Sequence, residues 1–319
     1  MDSYNSRKTD YLRISVTDRC NLRCIYCIPR EGIITKPREE ILTFGEILRL
    51  ADIFASLGIK KIRLTGGEPL VRKGVLDLIR SLIKIDTIED VSLTTNGTLL
   101  PLYAKELRAA GINRINISLD TLDEDKFKKI TGMNSLKEVL EGIDKAKEAG
   151  FYPLKLNMVI MKGINEDEII NFVNFAASKG LVLRFIEFMK VTPLWREDYF
   201  ISIEEVKEIC QRNFTLTKMK GSGSGPAVYY RTAQGATLGF IKTDENNCRV
   251  CSRLRLTSTG ELKNCVYEKH GLSLRELLRE GNSDQNIEDV IKKRIGIKQD
   301  HNHYFNCESP ALYMSAIGG

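Results

Sequence analysis

The sequence has no apolar run approaching the roughly 18 residues of a membrane span, and its first ten residues are polar. We therefore expect no membrane segment, no secretory signal and a cytoplasmic location. With 42% hydrophobic residues, the 319-residue chain is long enough to bury a large core. Its net charge of +6 suits nucleic acid, a polyanionic small molecule or a solvated surface equally well, so charge alone selects no partner.

Three cysteines lie close together near the start, and no fourth follows them until Cys210. Cys20, Cys24 and Cys27 have C-x3-C-x2-C spacing. Three thiolates can hold three irons of a [4Fe–4S] cube and leave the fourth iron open for a ligand. Eight cysteines in a cytosolic chain also favour metal or redox chemistry over disulfides. The spacing therefore predicts a catalytic cluster rather than an electron wire.

Strand-like and helical segments alternate through the first two thirds of the chain. The predicted strands are Leu12–Val16, Ile62–Leu64, Val91–Thr94, Ile115–Leu119, Leu154–Val159 and Val182–Phe185. Amphipathic segments with helical spacing lie between them and include Phe44–Leu57, Leu136–Ala149 and Asp167–Lys179. Such a repeat predicts βα units and a parallel sheet. Six units are fewer than the eight of a closed barrel, and a doubly wound open sheet is the alternative.

Each predicted strand alternates apolar and polar residues, whereas a sheet covered on both faces has strands that are apolar throughout. Side chains two positions apart share a face. One face is therefore apolar and packs the helices, and the other is polar. The polar face carries Arg13, Arg63, Thr94, Ser118, Lys155 and Arg184. This pattern favours an incomplete barrel with a wet, cationic lumen that binds a polyanion.

Polar loops follow the predicted strands, where the mouth of a βα barrel carries its chemistry. Gly66 and Gly67 let the backbone approach a ligand, and Glu68 can take an ammonium group. The segment 95–97 follows the third strand, Asp120 follows the fourth, and Glu187 and Met189 follow the sixth. Gly-Gly-Glu-Pro alone is a weak signal, but one βα unit after the cysteine loop it is a strong one.

A second group of cysteines, Cys248, Cys251 and Cys265, has C-x2-C-x13-C spacing. The alternating residues 253–256 and the turn at 258–261 predict a hairpin that brings Cys251 and Cys265 face to face. A zinc knuckle would need a fourth ligand, and none of the three histidines lies at the right spacing. A second open-iron cluster with Arg253 and Arg255 beside it is therefore favoured over zinc.

The βα repeat stops after Trp195, so we expect a core of residues 1–200 and a C-terminal domain of residues 201–319. Ser202 is the expected N-cap of one more helix that runs to Cys210. Cys210 and Cys307 have no partner at ligand spacing and are read as buried thiols. The final Gly-Gly is open to three interpretations: a frayed end, a conjugation tail, or a tail that threads into a narrow cavity.

These motifs together resemble a known superfamily. The cysteine loop with Tyr26 before its last cysteine, followed by Gly-Gly-Glu-Pro, resembles the radical S-adenosylmethionine (SAM) enzymes. Tyr11–Cys24, Ile62–Leu70, the second cysteine group and the terminal Gly318-Gly319 more narrowly resemble the GTP 3′,8-cyclase family of molybdenum cofactor biosynthesis. The resemblance implies an incomplete (βα)6 barrel, closed by a C-terminal region that carries a second [4Fe–4S] cluster.

The resemblance also implies roles for individual residues. It implies SAM contacts at Tyr26, Gly67, Glu68, Ser118 and Met189. It implies GTP contacts at Arg13, Arg63, Thr94, Lys155, Arg184, Arg253, Leu254 and Arg255. The implied catalytic residues are Arg13, Arg253, Arg255, Gly318 and Gly319. The implied cluster ligands are Cys20, Cys24 and Cys27 for the SAM cluster and Cys248, Cys251 and Cys265 for the substrate cluster.

The implied reaction converts GTP to (8S)-3′,8-cyclo-7,8-dihydroguanosine 5′-triphosphate with two [4Fe–4S] clusters and SAM. The implied partners are a low-potential electron donor, the cyclic pyranopterin monophosphate synthase that takes the product, and a second copy of the chain; nucleic acid and membrane are not expected. Asn247, Ser252 and the segment 190–195 depart from the family pattern. These departures leave open a radical SAM paralogue that modifies another nucleotide or a peptide. A separate alternative is a non-catalytic zinc and nucleic-acid binding protein that uses the net charge of +6.

Overall fold

The computed structural model describes residues 9–33, 35–219, 225–242, 251–300 and 313–317, with only the backbone of 299, 300, 316 and 317. Six parallel strands follow one another in chain order. They are β1 (Tyr11–Ser15), β2 (Lys61–Thr65), β3 (Asp90–Thr95), β4 (Arg114–Ser118), β5 (Lys155–Ile160) and β6 (Val182–Glu187). All six predicted strands are thus confirmed within a residue or two.

Helices fill the connections between the strands and continue into the C-terminal part. They are α1 (Phe44–Ser56), α2 (Val75–Leu82), α3 (Leu100–Ala109), α4 (Glu124–Thr131), α5 (Leu136–Glu148), α6 (Ile169–Lys179), α7 (Ile203–Asn213), α8 (Leu274–Arg279), α9 (Asp284–Asp300) and α10 (Met314–Ile317). Short 3-10 turns lie at Arg38–Glu40, Pro69–Val71, Glu166–Glu168 and Glu197–Tyr199. No helix in the described part of the chain is long and apolar enough to cross a membrane.

Local sequence signals explain where these helices begin and end. Ser202 caps α7 as predicted, and with Glu205 it forms a capping box that satisfies the first free N–H groups. Thr43 and Glu46 cap α1 in the same way. Gly180 ends α6 with φ +67°, a left-handed conformation that glycine adopts without a Cβ clash.

The strand order distinguishes the two predicted architectures. The central strands run β1-β2-β3-β4-β5-β6 without the reversal that defines a doubly wound sheet. Because βα crossovers are right-handed, this order places the connecting helices on one face of the sheet. The described strands show no pairing between the two outermost strands, so the sheet stays open. The structure therefore has the predicted (βα)6 arrangement rather than the doubly wound one.

The C-terminal strands extend this same sheet at both edges. Beyond β6 lie β9 (Thr237–Ile241), β8 (Val228–Thr232) and β7 (Leu216–Lys218), and beyond β1 lie β10 (Arg253–Leu256), β11 (Glu261–Lys263) and β12 (Leu272–Ser273). The predicted hairpin is confirmed as the antiparallel pair β10–β11. The division at residue 200 stays a prediction.

The two faces of the sheet differ as the alternation predicted. Leu12, Ile14, Ile62 and Leu64 point into the core with no exposed surface. Burying one such side chain contributes about 1.5–3 kcal/mol relative to leaving it in water. The opposite face holds the polar side chains of the site, and several of them line one cavity.

Candidate active site

One cavity of about 350 Å³ is lined by both cysteine groups. Cys20, Cys24 and Cys27 line it together with Cys251 and Cys265, although these two groups are more than 200 residues apart in sequence. The predicted ligand residues Tyr26, Gly67, Thr94, Ser118, Met189, Arg13, Arg184, Arg253 and Arg255 also line it. The fold therefore brings most of the predicted site residues to one cavity.

The first cysteine loop is held against the end of α4 by its backbone. The amide of Arg23 donates to Thr131 O at 2.7 Å, and that of Ile25 donates to Ile130 O at 2.9 Å. The guanidinium of Arg23 also donates to Cys20 O at 2.6 Å. Amides of residues 27 and 28 donate back to Cys24 O, which turns the loop tightly. The three thiols are thereby presented to the cavity from a constrained backbone.

The chemistry of these thiols fits a cluster. Burial raises the pKa of Cys27 to about 12 and that of Cys24 well above its ordinary value. Such thiols become ligands when a metal supplies the positive charge that their surroundings lack. Asn96 Nδ2 lies 3.7 Å from Cys20 Sγ and can donate to a sulfur ligand. Among the described residues no three possible ligands converge on one ion, and a cube does not require convergence because each cysteine binds its own iron.

The Gly-Gly-Glu-Pro loop is packed directly against the backbone that leads into the cysteine loop. Gly67 N donates to Thr17 O at 2.7 Å, and Glu68 N donates to Arg19 O at 2.8 Å. Gly66 has φ +148°, and a Cβ there would lie 2.5 Å from Thr17 O. The glycines are therefore required by the contact between two loops, in addition to any contact with a ligand.

Replacing Gly67 with alanine is expected to lower the free energy of unfolding by about 2–3 kcal/mol, because the new Cβ overlaps the carbonyl of Arg19. Gly45→Ala on α1 is the matched control: its Cβ meets only Thr43 Oγ1 at 4.0 Å, and we expect it to stabilise by about 0.5–1 kcal/mol. Chemical denaturation of both variants measures the difference. Equal stabilities for both would contradict the packing described.

Glu68 is not among the residues that line the cavity, and its contact with the SAM ammonium stays a prediction. Its side chain is fully buried. Its carboxylate accepts from Thr95 Oγ1 at 2.8 Å, from Asn96 N at 2.6 Å and from Leu70 N at 3.0 Å. Glu68 therefore ties the loop after β2 to the loop after β3, and its contribution to the site is positional.

The buried Glu68 makes stability depend on pH. Burial raises its pKa from 4.5 to about 7, so the folded chain holds a proton that the unfolded chain releases. Stability from this group is full below pH 4.5 and is lost as the pH rises to 7, by about 3 kcal/mol. We expect Glu68→Gln to remove this fall in denaturation measured from pH 5 to 8, while Glu31→Gln at an exposed position leaves it unchanged. A fall of the same size in Glu68→Gln would refute the assignment.

Arginines from three neighbouring strands form one row across the polar face. Arg13 of β1 is in register with Arg255 of β10 on one side and with Arg63 of β2 on the other. Burial, followed by the charge of Arg255, lowers the pKa of Arg13 well below its ordinary range. Burial and the charge of Arg253 lower the pKa of Arg255 to about 10. Closely spaced buried cations of this kind favour an anionic ligand that offsets their repulsion.

Two further basic residues lie on the same face at β5 and β6. Arg184 lines the cavity, and its buried Nε has no hydrogen-bond partner among the described residues. The buried Oδ1 of Asn157, in register with Arg184, also has none. Lys155 and Arg63 lie outside the cavity lining. Burial, followed by the charge of Arg184, lowers the pKa of Lys155 to about 8. Arg63 instead donates to Tyr11 Oη and to Leu93 O.

Tyr26 is anchored from the far side of the cavity. Its hydroxyl donates to Asp120 Oδ2 at 2.6 Å, and Asp120 Oδ1 accepts from Val159 N at 2.8 Å. Burial raises the pKa of Asp120 to about 6. The motif spacing assigned no role to Asp120 beyond its place after β4, and no local signal pairs it with a residue of the cysteine loop.

The second cysteine site differs electrostatically from the first. Burial raises the pKa of Cys251, but the charges of Arg253 and Lys298 outweigh burial and bring it down to about 6. Cys265 lies next to Asn264, which sequence reasoning missed as a cavity residue. Leu254 points its fully buried side chain into the apolar core, so only its backbone can reach a ligand. Cys248 lies outside the described residues.

The described C-terminal residues lie at the first cysteine site. Met314 lines the cavity, and the backbone N–H of Ser315 donates to the thiol of Cys27. Gly318 and Gly319 are outside the described residues, as is Cys307. That the Gly-Gly tail threads into the cavity stays a prediction. The contact between Ser315 and Cys27 supports it.

Comparison with known proteins places this geometry in a family. Residues 14–176 match the radical SAM superfamily model, and residues 181–304 match the Molybdenum Cofactor Synthesis C model. The chain is 46% identical over 324 residues to the GTP 3′,8-cyclase of Thermodesulfovibrio yellowstonii, which covers 100% of this chain and 99% of that protein. It is 45% identical to the GTP 3′,8-cyclase of Syntrophomonas wolfei, with 99% of each chain covered.

Solved structures show the same fold at low sequence identity. SuiB of Streptococcus suis, solved with its precursor peptide SuiA, superposes with a TM-score of 0.62 at 16% identity, over 95% of this chain and 67% of that one. SuiB solved with S-adenosylmethionine superposes with a TM-score of 0.61, over 88% of this chain and 68% of that one. With the full-length identities above, the chain belongs to the GTP 3′,8-cyclase family of the radical SAM superfamily.

Proposed function

We propose that this protein cyclises GTP to (8S)-3′,8-cyclo-7,8-dihydroguanosine 5′-triphosphate, the first step of molybdenum cofactor biosynthesis. The observation that carries the proposal is the single cavity lined by both cysteine groups and by Arg13, Arg184, Arg253 and Arg255. A radical generator needs a substrate held within the same space, and the arginines give that space the charge of a triphosphate site.

Two clusters and SAM fit the residues at opposite ends of this cavity. Cys20, Cys24 and Cys27 would hold the cluster that binds SAM, and Cys251 and Cys265, with Cys248, would hold the second one. When bound, the first cluster and SAM supply a radical that removes a hydrogen atom from the substrate ribose. The second cluster is part of the proposal and would take the guanine base at its open iron.

The polar face orients the nucleotide between these two ends. Arg13 and Arg255 lie at one level on adjacent strands, so their planar forks can bind phosphate oxygens as a pair. Arg184 Nε and Asn157 Oδ1 are a buried donor and acceptor without partners among the described residues, and they can be satisfied by polar ligand atoms. The protein's task is to hold the ribose near the radical source and to exclude water.

The contacts of SAM are also proposed from the lining. Gly67, Ser118 and Met189 line the cavity that also holds the first cysteine group. Gly67 can expose backbone groups to the amino acid part of SAM because no side chain covers it. Tyr26 of the cysteine loop is held by Asp120, which follows β4. The electron donor, the synthase that takes the product and a homodimer remain proposals.

Anaerobic turnover with GTP, SAM and a strong reductant tests the function. We expect 5′-deoxyadenosine and a cyclised nucleotide in equal amounts. Formation of 5′-deoxyadenosine at the same rate without GTP would refute the substrate assignment.

Deletion of Gly318 and Gly319 is expected to abolish cyclisation and to keep both clusters. An unimpaired deletion variant would remove the tail from the mechanism.

Iron analysis separates the remaining alternatives. About eight irons per chain correspond to two cubes, and about four correspond to one. Zinc without iron would support the non-catalytic zinc and nucleic-acid binding protein instead. Turnover of a different nucleotide or of a peptide in place of GTP would support a paralogue with another substrate.

A further inference from the structure

Lys298, on α9, is a buried lysine whose ammonium lies at the second cysteine site. Its side chain is 2% exposed. The ammonium donates to Asn264 O at 2.7 Å and to Arg253 O, and it lies 3.8 Å from Cys251 Sγ. An ammonium group has three N–H donors, so it can serve several acceptors at once. Its contacts include two backbone carbonyls and one cysteine sulfur.

The contacts of Lys298 join the two arms of the site. Arg253 begins β10 two residues after Cys251, and Asn264 follows β11 directly before Cys265. One side chain from a helix therefore bridges the backbone beside both described cysteines. This bridge adds to the β10–β11 pairing in joining the two arms.

The same helix contacts Asn264 a second time, one turn earlier. Asn264 Nδ2 donates to Arg294 O at 3.0 Å. The backbone N–H of Asn264 donates to Glu268 Oε2 at 2.6 Å, and the Glu268 carboxylate also forms an ion pair with Arg294. The backbone before Cys265 is thus fastened to α9 from two sides, and Lys298 is the member of this set that reaches a cysteine.

Burying a cation is costly unless negative charge lies near it. An Fe–S cluster with thiolate ligands is such a negative group, and its potential depends on nearby charge and on hydrogen bonds to its sulfurs. We propose that Lys298 is a positioning residue of the second cluster, which spaces its two cysteine arms and stabilises its reduced, more negative state. This inference rests on the proposed function, because that function includes the cluster.

The test compares three substitutions in the reconstituted full-length protein. Lys298→Met removes both charge and donors, Lys298→Gln keeps a donor without charge, and Lys298→Arg keeps the charge. Lys293→Met, exposed on the same helix, is the control. Redox titration followed by electron paramagnetic resonance reads the second cluster separately, since added SAM alters the signal of the first cluster only.

We expect Lys298→Met and Lys298→Gln to favour the oxidised second cluster at least about tenfold at the wild-type midpoint, a shift of about 59 mV for one electron. Lys298→Arg and Lys293→Met should stay close to wild type. Loss of the second cluster in the two neutral variants, with retention in Lys298→Arg, also supports the role. Should the Met variant not fold, the Gln variant gives the reading.

Two results would overturn the inference, and they are distinguishable. Wild-type protein with about eight irons and unchanged potentials in both neutral variants would exclude Lys298 and leave the proposed function standing. Wild-type protein with about four irons would exclude the second cluster itself, and with it both the proposed guanine site and the role of Lys298.

Discussion

A Cys24→Ala variant is expected to cleave no SAM and to lose about four irons per chain, because a cube held by two cysteines of a three-cysteine loop is not retained. Cys24 stands at the centre of the loop, and its carbonyl accepts from the amides of Cys27 and Ile28. The alanine substitution keeps this backbone and removes only the ligand. We expect 5′-deoxyadenosine formation to fall by at least about a thousandfold.

Cys210→Ala provides the matched control for this prediction. Cys210 is a fully buried thiol on α7, and burial raises its pKa to about 12. Its removal leaves a small cavity that costs about 1 kcal/mol of stability and should leave both iron content and SAM cleavage intact. Iron analysis and product quantification make the comparison. Retained SAM cleavage in Cys24→Ala would show that this loop is not the radical source.

An Arg13→Ala variant is expected to weaken GTP binding by about 30- to 1,000-fold, which corresponds to about 2–4 kcal/mol for a buried charged contact. Arg13 is on the cavity wall at the level of Arg255. Its loss removes one of two adjacent guanidinium groups from the proposed phosphate site. Calorimetric titration of the anaerobic protein with GTP measures the change.

Two further variants show what part of Arg13 is needed. Arg13→Lys keeps the charge but loses the planar fork, so we expect an intermediate affinity. Arg49→Ala removes an exposed surface ion pair with Asp284 on the outer side and should bind GTP as wild type does. The difference between GTP and guanosine should also shrink in Arg13→Ala. An unchanged GTP affinity in that variant would place the triphosphate elsewhere in the cavity.

Local patterns predicted most of the fold. The alternation in 12–16 or 115–119 has period two, and that in 44–57 has a helical period, so each segment shows which face it buries. Helix boundaries also follow local signals: Ser202 caps the start of α7, and Gly180 ends α6. The polar face of the predicted strands indicated a cationic lumen. The structure places Arg13, Arg184 and Arg255 on the wall of the cavity.

Three predicted ligand residues lie outside the cavity lining, and their ligand contacts stay predictions. Glu68 follows two glycines in a loop, where an exposed carboxylate could bind a ligand, but three donors from residues 70, 95 and 96 hold it in the interior. Arg63 and Lys155 share the polar face with Arg13 but lie outside the cavity lining. Arg63 is in register with Arg13, but its guanidinium donates to Tyr11 Oη and to Leu93 O. Lys155 is the first residue of β5, two positions before Asn157 of the cavity lining. Alternation shows which face a side chain lies on and carries no information about either effect.

The sequence by itself determined the βα repeat, the polar face and the two cysteine groups, because periodicity and ligand spacing are set by covalent geometry over a few residues. Tertiary structure alone decided that β10 pairs with β1, that Ser315 reaches Cys27 and that Lys298 lies at Cys251. Those contacts join residues from 47 to nearly 290 positions apart. They are settled by which apolar faces and sheet edges can be buried together, and this competition among all segments is not encoded in any single one.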